Sequence, residues 1–178
     1  MTGWEERLLG VFDDLEQQAE GLALAERDAR VADLARAGYA EVDLLSRLRG
    51  SLGVLLHLRL AGAVGLSGTV LRVGTDWLLL DDGRHEWLVP TQALEEVRGL
   101  PDRAVADSAR PITARLGLGS VLRSLASDAL PVLVHRRDGQ VVRGLVRRVG
   151  ADFVELQGDE VAGLAVVPWP AIAAVRAG

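Results

Sequence analysis

Along the first forty residues the apolar positions fall three and four apart. Trp4, Leu8, Val11 with Phe12, Leu15, Ala19 and Leu22 draw one stripe along a helix. Asp13, Asp14, Glu16 and Glu20 occupy the other face as a solvated acidic run. Leu24 to Ala37 continues in Ala, Leu, Glu and Arg, with pauses at Gly21 and Gly38, so the pattern predicts two helices, or one helix broken near Gly21. A third short helix, Glu41 to Arg49, runs into Gly50 and Gly53. The stripe has two readings. It packs on the rest of the chain or on a symmetry mate, as any surface helix must, or it docks on a different protein.

Beyond Gly53 the period changes to two, and the chain matches itself. GTVLRVGTDWLLL, Gly68 to Leu80, aligns with GLVRRVGADFVEL, Gly144 to Leu156, at an offset of 76, with seven of 13 positions identical. Trp77 against Phe153 is a further aromatic match. After a length difference of two residues, LVPTQALEEVR from Leu88 to Arg98 parallels VVPWPAIAAVR from Val166 to Arg176. Such self-similarity marks a duplicated structural unit. Each copy reads as five short strands, near 54–60, 66–73, 76–81, 85–90 and 94–98, then near 132–137, 140–149, 152–157, 162–167 and 171–176.

The turns have local causes. Asp138 and Gly139 make a two-residue hairpin signal, both residues tolerating positive φ. Gly74 to Asp76 and Gly150 to Asp152 read as tight turns in which Gly supplies the unusual dihedral and the Asp carboxylate accepts a backbone N–H. Pro90 and Pro168 cannot donate to a ladder, so each ends a strand and starts a short turn. Strands this short and this closely spaced argue a barrel, and about 45 residues per copy is too few for two full sheets.

The motif Gly-x-Val-x-x-Val-Gly-x-Asp-aromatic-x-x-Leu, followed by Val-Pro-x-x-Ala-[Leu/Ile]-x-x-Val, resembles the Sm-like family, which includes Sm and LSm proteins and the bacterial riboregulator Hfq. The chain is also similar to a group of proteins from GC-rich bacteria. The resemblance covers roughly residues 41–178 and implies a short helix before five bent strands, a role that Arg115 to Ser127 fills for the second copy. The expected fold is therefore α+β: N-terminal α-helices followed by two five-stranded Sm-like or SH3-like small β-barrels arranged as an internal repeat. The expected divisions are an acidic helical region at 1–50, a first barrel at 51–100, a linker with a short helix at 101–129 and a second barrel at 130–178.

The resemblance also implies single-stranded RNA read by an Asp and an Asn between the second and third strands and by an Arg-Gly loop before the last. Asp76 and Asp152 match the Asp, but Trp77 and Phe153 follow where the Asn is required. The loops Pro90 to Ala93 and Pro168 to Ala171 hold no Arg-Gly. Aromatic residues are 4% of the chain, which leaves few stacking platforms for bases. Turn capping is the simpler role for both aspartates.

Charge is distributed unevenly. Residues 1–43 carry 11 acids and 4 arginines, whereas residues 44–178 carry 14 acids and 16 arginines. Arg136, Arg137, Arg143, Arg147 and Arg148 crowd one hairpin of the second copy, where phosphates or an acidic protein surface would bind; the acidic N-terminal helices are the simplest such partner. All basic residues are arginine, a composition suited to a GC-rich genome.

Catalysis is not indicated. Cysteine is absent, excluding disulfides and thiolate chemistry, and His57, His85 and His135 form no metal-ligand spacing. His57 and His135 fall at similar places in the two first strands. Gly117 to Gly119 opens a helix without the lysine of a phosphate loop. No cofactor or small-molecule substrate is implied. No signal peptide or long apolar span appears, so the expectation is a cytoplasmic protein with a protein partner or self-association, nucleic acid being the alternative.

Overall fold

The computed structural model describes residues 20–105, apart from 22, 23, 25, 32 and 35, then residues 116–158 and 163–177. The chain divides into two compact units, Met1–Val42 and Asp43–Gly178. In the first, the described positions of 20–40 form helix α1. Gly21 and Gly38 are both helical, and the residues just after Gly21, where a break is expected, lie outside the described residues. The earlier part of the stripe, Trp4 to Ala19, and Leu22 lie outside the described residues.

The second unit begins with helix α2 (Leu44–Arg49), whose N-cap Asp43 accepts a hydrogen bond from the Ser46 N–H. Strands β1 (Leu55–Leu60), β2 (Val64–Val73), β3 (Trp77–Asp81), β4 (Glu86–Pro90) and β5 (Leu94–Arg98) follow. Helix α3 (Leu118–Ser127) then precedes β6 (Pro131–Arg136), β7 (Val141–Val149), β8 (Phe153–Gln157), β9 (Leu164–Pro168) and β10 (Ile172–Ala177). Alternation dictates these strands. In β1, Leu56, Leu58 and Leu60 are buried while Leu55, His57 and Arg59 face out.

The duplication extends to irregularities of the backbone. The β2–β3 and β7–β8 ladders shift register at matching places, around Leu71 and Arg147. Those of β1–β5 and β6–β10 do so as well. In both copies Pro ends the fourth strand, and a 3-10 turn, Thr91–Ala93 or Trp169–Ala171, leads into the fifth. Gly68 and Gly144 pass under the third strands so closely that a Cβ would meet Asp81 O at 2.8 Å and Gln157 O at 2.5 Å.

The ten strands form a single antiparallel sheet in the order β5-β1-β2-β3-β4-β10-β6-β7-β8-β9. This overturns the expectation of two five-stranded barrels. Neither copy closes on itself: β4 does not pair with β5, nor β9 with β10. The reason lies in the turn after each Pro, which carries the fifth strand across to the first (β5 on β1, β10 on β6) and leaves the outer edge of the fourth strand open. In the first copy that edge is taken by β10, with Val175 opposite Leu88 and Arg176 opposite Trp87. An unpaired edge exposes donors and acceptors, and the second copy satisfies them.

Two cores flank this seam, and each borrows from the other side. One gathers Leu48, Leu56, Leu58, Leu78, Leu80 and Val89 with Ala174 of β10. The other gathers Leu118, Leu122, Val132, Val134, Leu156 and Ile172 with Trp77 and Leu88 of the first copy. The matched aromatics therefore have different surroundings. Trp77 is 6% exposed and donates its Nε1–H to Leu116 O at 2.8 Å, covered by the segment entering α3. Phe153 is only partly buried.

Three local expectations also change. Among the described residues of the Asp138-Gly139 turn only Gly139 has positive φ, and its N–H bonds Arg136 O at 3.0 Å. The turn is therefore a longer loop ending in a left-handed glycine. Gly74 and Gly150 do not have positive φ. They are glycine because the aromatic rings lie against them: a Cβ would sit 2.3 Å from Trp77 and 2.5 Å from Phe153. His57 and His135 are not equivalent, since the strand registers align His135 with Arg59 and His57 with Leu133.

Candidate binding surface at the repeat junction

The corresponding turns of the two copies meet at one end of the seam. Asp76 O accepts the Thr91 N–H at 2.9 Å, and Asp152 O accepts the Trp169 N–H at 2.8 Å, so each turn holds its own copy's 3-10 turn. Between them lies a cleft of about 240 Å³ lined by both aspartates, Gln92, Leu118, Trp169 and Pro170, among others. Gln92 reaches across to donate to Trp169 O at 3.2 Å.

The two carboxylates are not used alike. Asp76 Oδ1 accepts the Leu118 N–H at 2.8 Å at the start of α3 and a bond from Thr75 Oγ1 at 3.1 Å. It thus caps a helix of the other copy rather than its own turn, an anion placed where unpaired helix N–H groups converge. Asp152 is exposed. The Trp169 Nε1 is buried without a hydrogen-bond partner. Among the described residues no three His, Asp or Glu side chains gather in a way that would hold a metal ion.

A second cluster ties the seam together. Trp87 of β4 donates its Nε1–H to Asp82 Oδ2 at 2.8 Å, while its ring meets His135 of β6 at a centroid distance of 5.1 Å and the Arg176 guanidinium of β10 at 5.5 Å. The Trp87 N–H, followed by the backbone N–H groups of His85 and Arg84, holds Asp82 well below the ordinary carboxylate value, at about 2. Burial, reinforced by the Arg176 charge, pushes His135 below its ordinary value of 6.5. A neutral imidazole beside a cation stacked on tryptophan is the arrangement those shifts describe. Of these residues the sequence singled out only His135, and not for this contact, because the repeat places Ala165 where the first copy has Trp87 and the cluster has no internal counterpart.

The five arginines of the β6–β7 hairpin are spread along it, Arg136 and Arg137 at the turn and Arg147 and Arg148 toward the far end of β7. Arg136 pairs with Asp138 at 2.7 Å and Arg148 with Glu155 at 2.5 Å. Arg137 turns inward to donate to Gln92 O. Arg143 and Arg147 are exposed on the outer side of β7, Arg147 being the extra residue of its bulge. Arg136 and Arg148 are thus each neutralised within the hairpin or the strand beside it. No helix among the described residues is long and apolar enough to cross a membrane.

No family model and no curated protein matches the chain. The junction therefore has to be read from its own chemistry. It offers one committed carboxylate, one exposed carboxylate, an amide and an indole face. These groups suit holding and recognition.

Proposed function

We propose that this is a non-catalytic binding or scaffold protein of the cytoplasm that acts through protein–protein contacts. The observation that carries this reading is the apolar side of α1. Leu24, Val31 and Leu34, spaced seven and three apart, are 59%, 66% and 67% exposed. That spacing places them on one side of a helix, and an apolar stripe exposed among the described residues is a surface suited to a partner. The test is affinity purification with the full chain and with Leu24→Glu/Val31→Glu/Leu34→Glu. Loss of the co-purifying proteins with unchanged far-UV circular dichroism supports the reading. Retention of the same proteins removes it.

Arg143 and Arg147, exposed on one side of β7, favour a second reading in which the Sm-like motif belongs to a nucleic-acid-associated regulator. Filter binding of labelled RNA at two salt concentrations separates the two readings, because phosphate contacts weaken steeply as salt rises. Salt-sensitive binding abolished by Arg143→Ala/Arg147→Ala favours the regulator, and absence of binding at low salt eliminates it.

A further inference from the structure

The two outer edges of the sheet, β5 and β9, differ in chemistry, and the internal seam shows what each lacks. Strand β9 is the counterpart of β4. Leu88 of β4 is buried to 3% exposure under the second copy, whereas its equivalent Val166 is 58% exposed and Leu164 beside it 47% exposed. Strand β9 contains no charged residue, and Val167 points the other way into the core. Among the described residues it is an open edge with apolar side chains and no charge, blunted only by its shortness and by Pro168 at its end.

Strand β5, the counterpart of β10, is protected. Where β10 has the fully buried Ala173 and Ala174, β5 has Glu95 and Glu96. Glu96 is held by Arg98 at 2.6 Å and Arg59 at 3.1 Å, and Glu95 lies 3.5 Å from Arg59. A second copy docking its β5 on β9, as β10 docks on β4, would carry Glu96 to the place of Ala174. That place is among apolar side chains, here Val154, Leu156 and Val167. Burying a carboxylate there is strongly disfavoured, so head-to-tail extension of the sheet is blocked.

One occupant of β9 remains that meets no charge: β9 itself. We propose that Leu164–Pro168 of two copies pair antiparallel about a two-fold axis, with the Val166 side chains adjoining, so that the chain forms a homodimer through a continuous sheet. Each ladder in the sheet is antiparallel, and a strand set antiparallel to its own copy is self-complementary, as a two-fold interface requires. This goes beyond the α1 reading, since it uses neither that helix nor an outside partner.

Sedimentation velocity of the full chain over a concentration series tests it. The expected mass is twice 19.0 kDa, falling to the chain mass for Val166→Glu with unchanged far-UV circular dichroism, while Glu95→Ala/Glu96→Ala leaves the Val166→Glu effect intact. Because the chain has no cysteine, Val166→Cys supplies a second readout: mild oxidation links two copies in high yield. A wild-type chain that stays monomeric at every concentration overturns the proposal. So does a dimer that survives Val166→Glu, or a Val166→Cys protein that fails to cross-link.

Discussion

Truncating Leu88 reads the energy of the seam directly. Leu88 belongs to β4 by sequence yet sits in the core of the other copy, at 3% exposure. Leu88→Ala removes three carbons from water-excluded surroundings, about 2 kcal/mol of transfer free energy, and the residual cavity raises the cost to about 3 kcal/mol. The repeat supplies its own control. Val166→Ala removes two carbons from a side chain that is 58% exposed, and at dilute, monomeric concentration it should cost no more than about 0.5 kcal/mol. Urea unfolding followed by circular dichroism gives both values, and an unchanged slope identifies a change in stability rather than in the unfolded state. Equal costs at the two positions would refute the seam, because equivalent strands in two independent barrels would have equivalent surroundings.

Other consequences concern titration and close approach. His135, depressed by burial and then by Arg176, adds stability that is complete above 6.5 and lost as pH falls through its lower folded value. The melting temperature should therefore drop between pH 7 and 5, and less so in His135→Gln. Asp82, held at about 2 chiefly by the Trp87 N–H, contributes stability present above 3.8 and lost as pH falls from there through about 2. Asp82→Asn should flatten acid unfolding in that window and alter Trp87 fluorescence. Gly74→Ala, whose Cβ would meet the Trp77 ring at 2.3 Å, should cost about 1–3 kcal/mol. Gly65→Ala, with nothing near its Cβ, should stay within about 0.5 kcal/mol, measured in the same urea series.

The strands were legible because alternation and the internal repeat constrain them independently. Expected boundaries such as 94–98 coincide with Leu94–Arg98, and the expected 54–60 differs from Leu55–Leu60 by a residue. Pro90 and Pro168 end their strands as their missing N–H requires. What could not be read was the partner of each edge. Nothing in EWLVP specifies β10 rather than β5, since pairing depends on where the turn after Pro90 sends the chain. The same blindness to long-range contacts assigned Asp76 to its own turn when it caps α3, and Gly74 to a dihedral when it clears Trp77. Part of the second edge was visible in principle: the exchange of Ala173 and Ala174 for Glu95 and Glu96 appears in the alignment of the copies, and is meaningful only once β10 is known to be interior. The arginine cluster was found by composition, but its partial pairing with Asp138 and Glu155 depends on strand register.

The continuous sheet is tested most directly by nuclear Overhauser contacts between backbone protons of β4 and β10. Cross-strand peaks linking Trp87 and Leu88 with Val175 and Arg176 are the predicted result, together with peaks linking β5 to β1. Peaks joining β4 to β5, and β9 to β10, with none across the seam, would show two closed barrels and contradict the account.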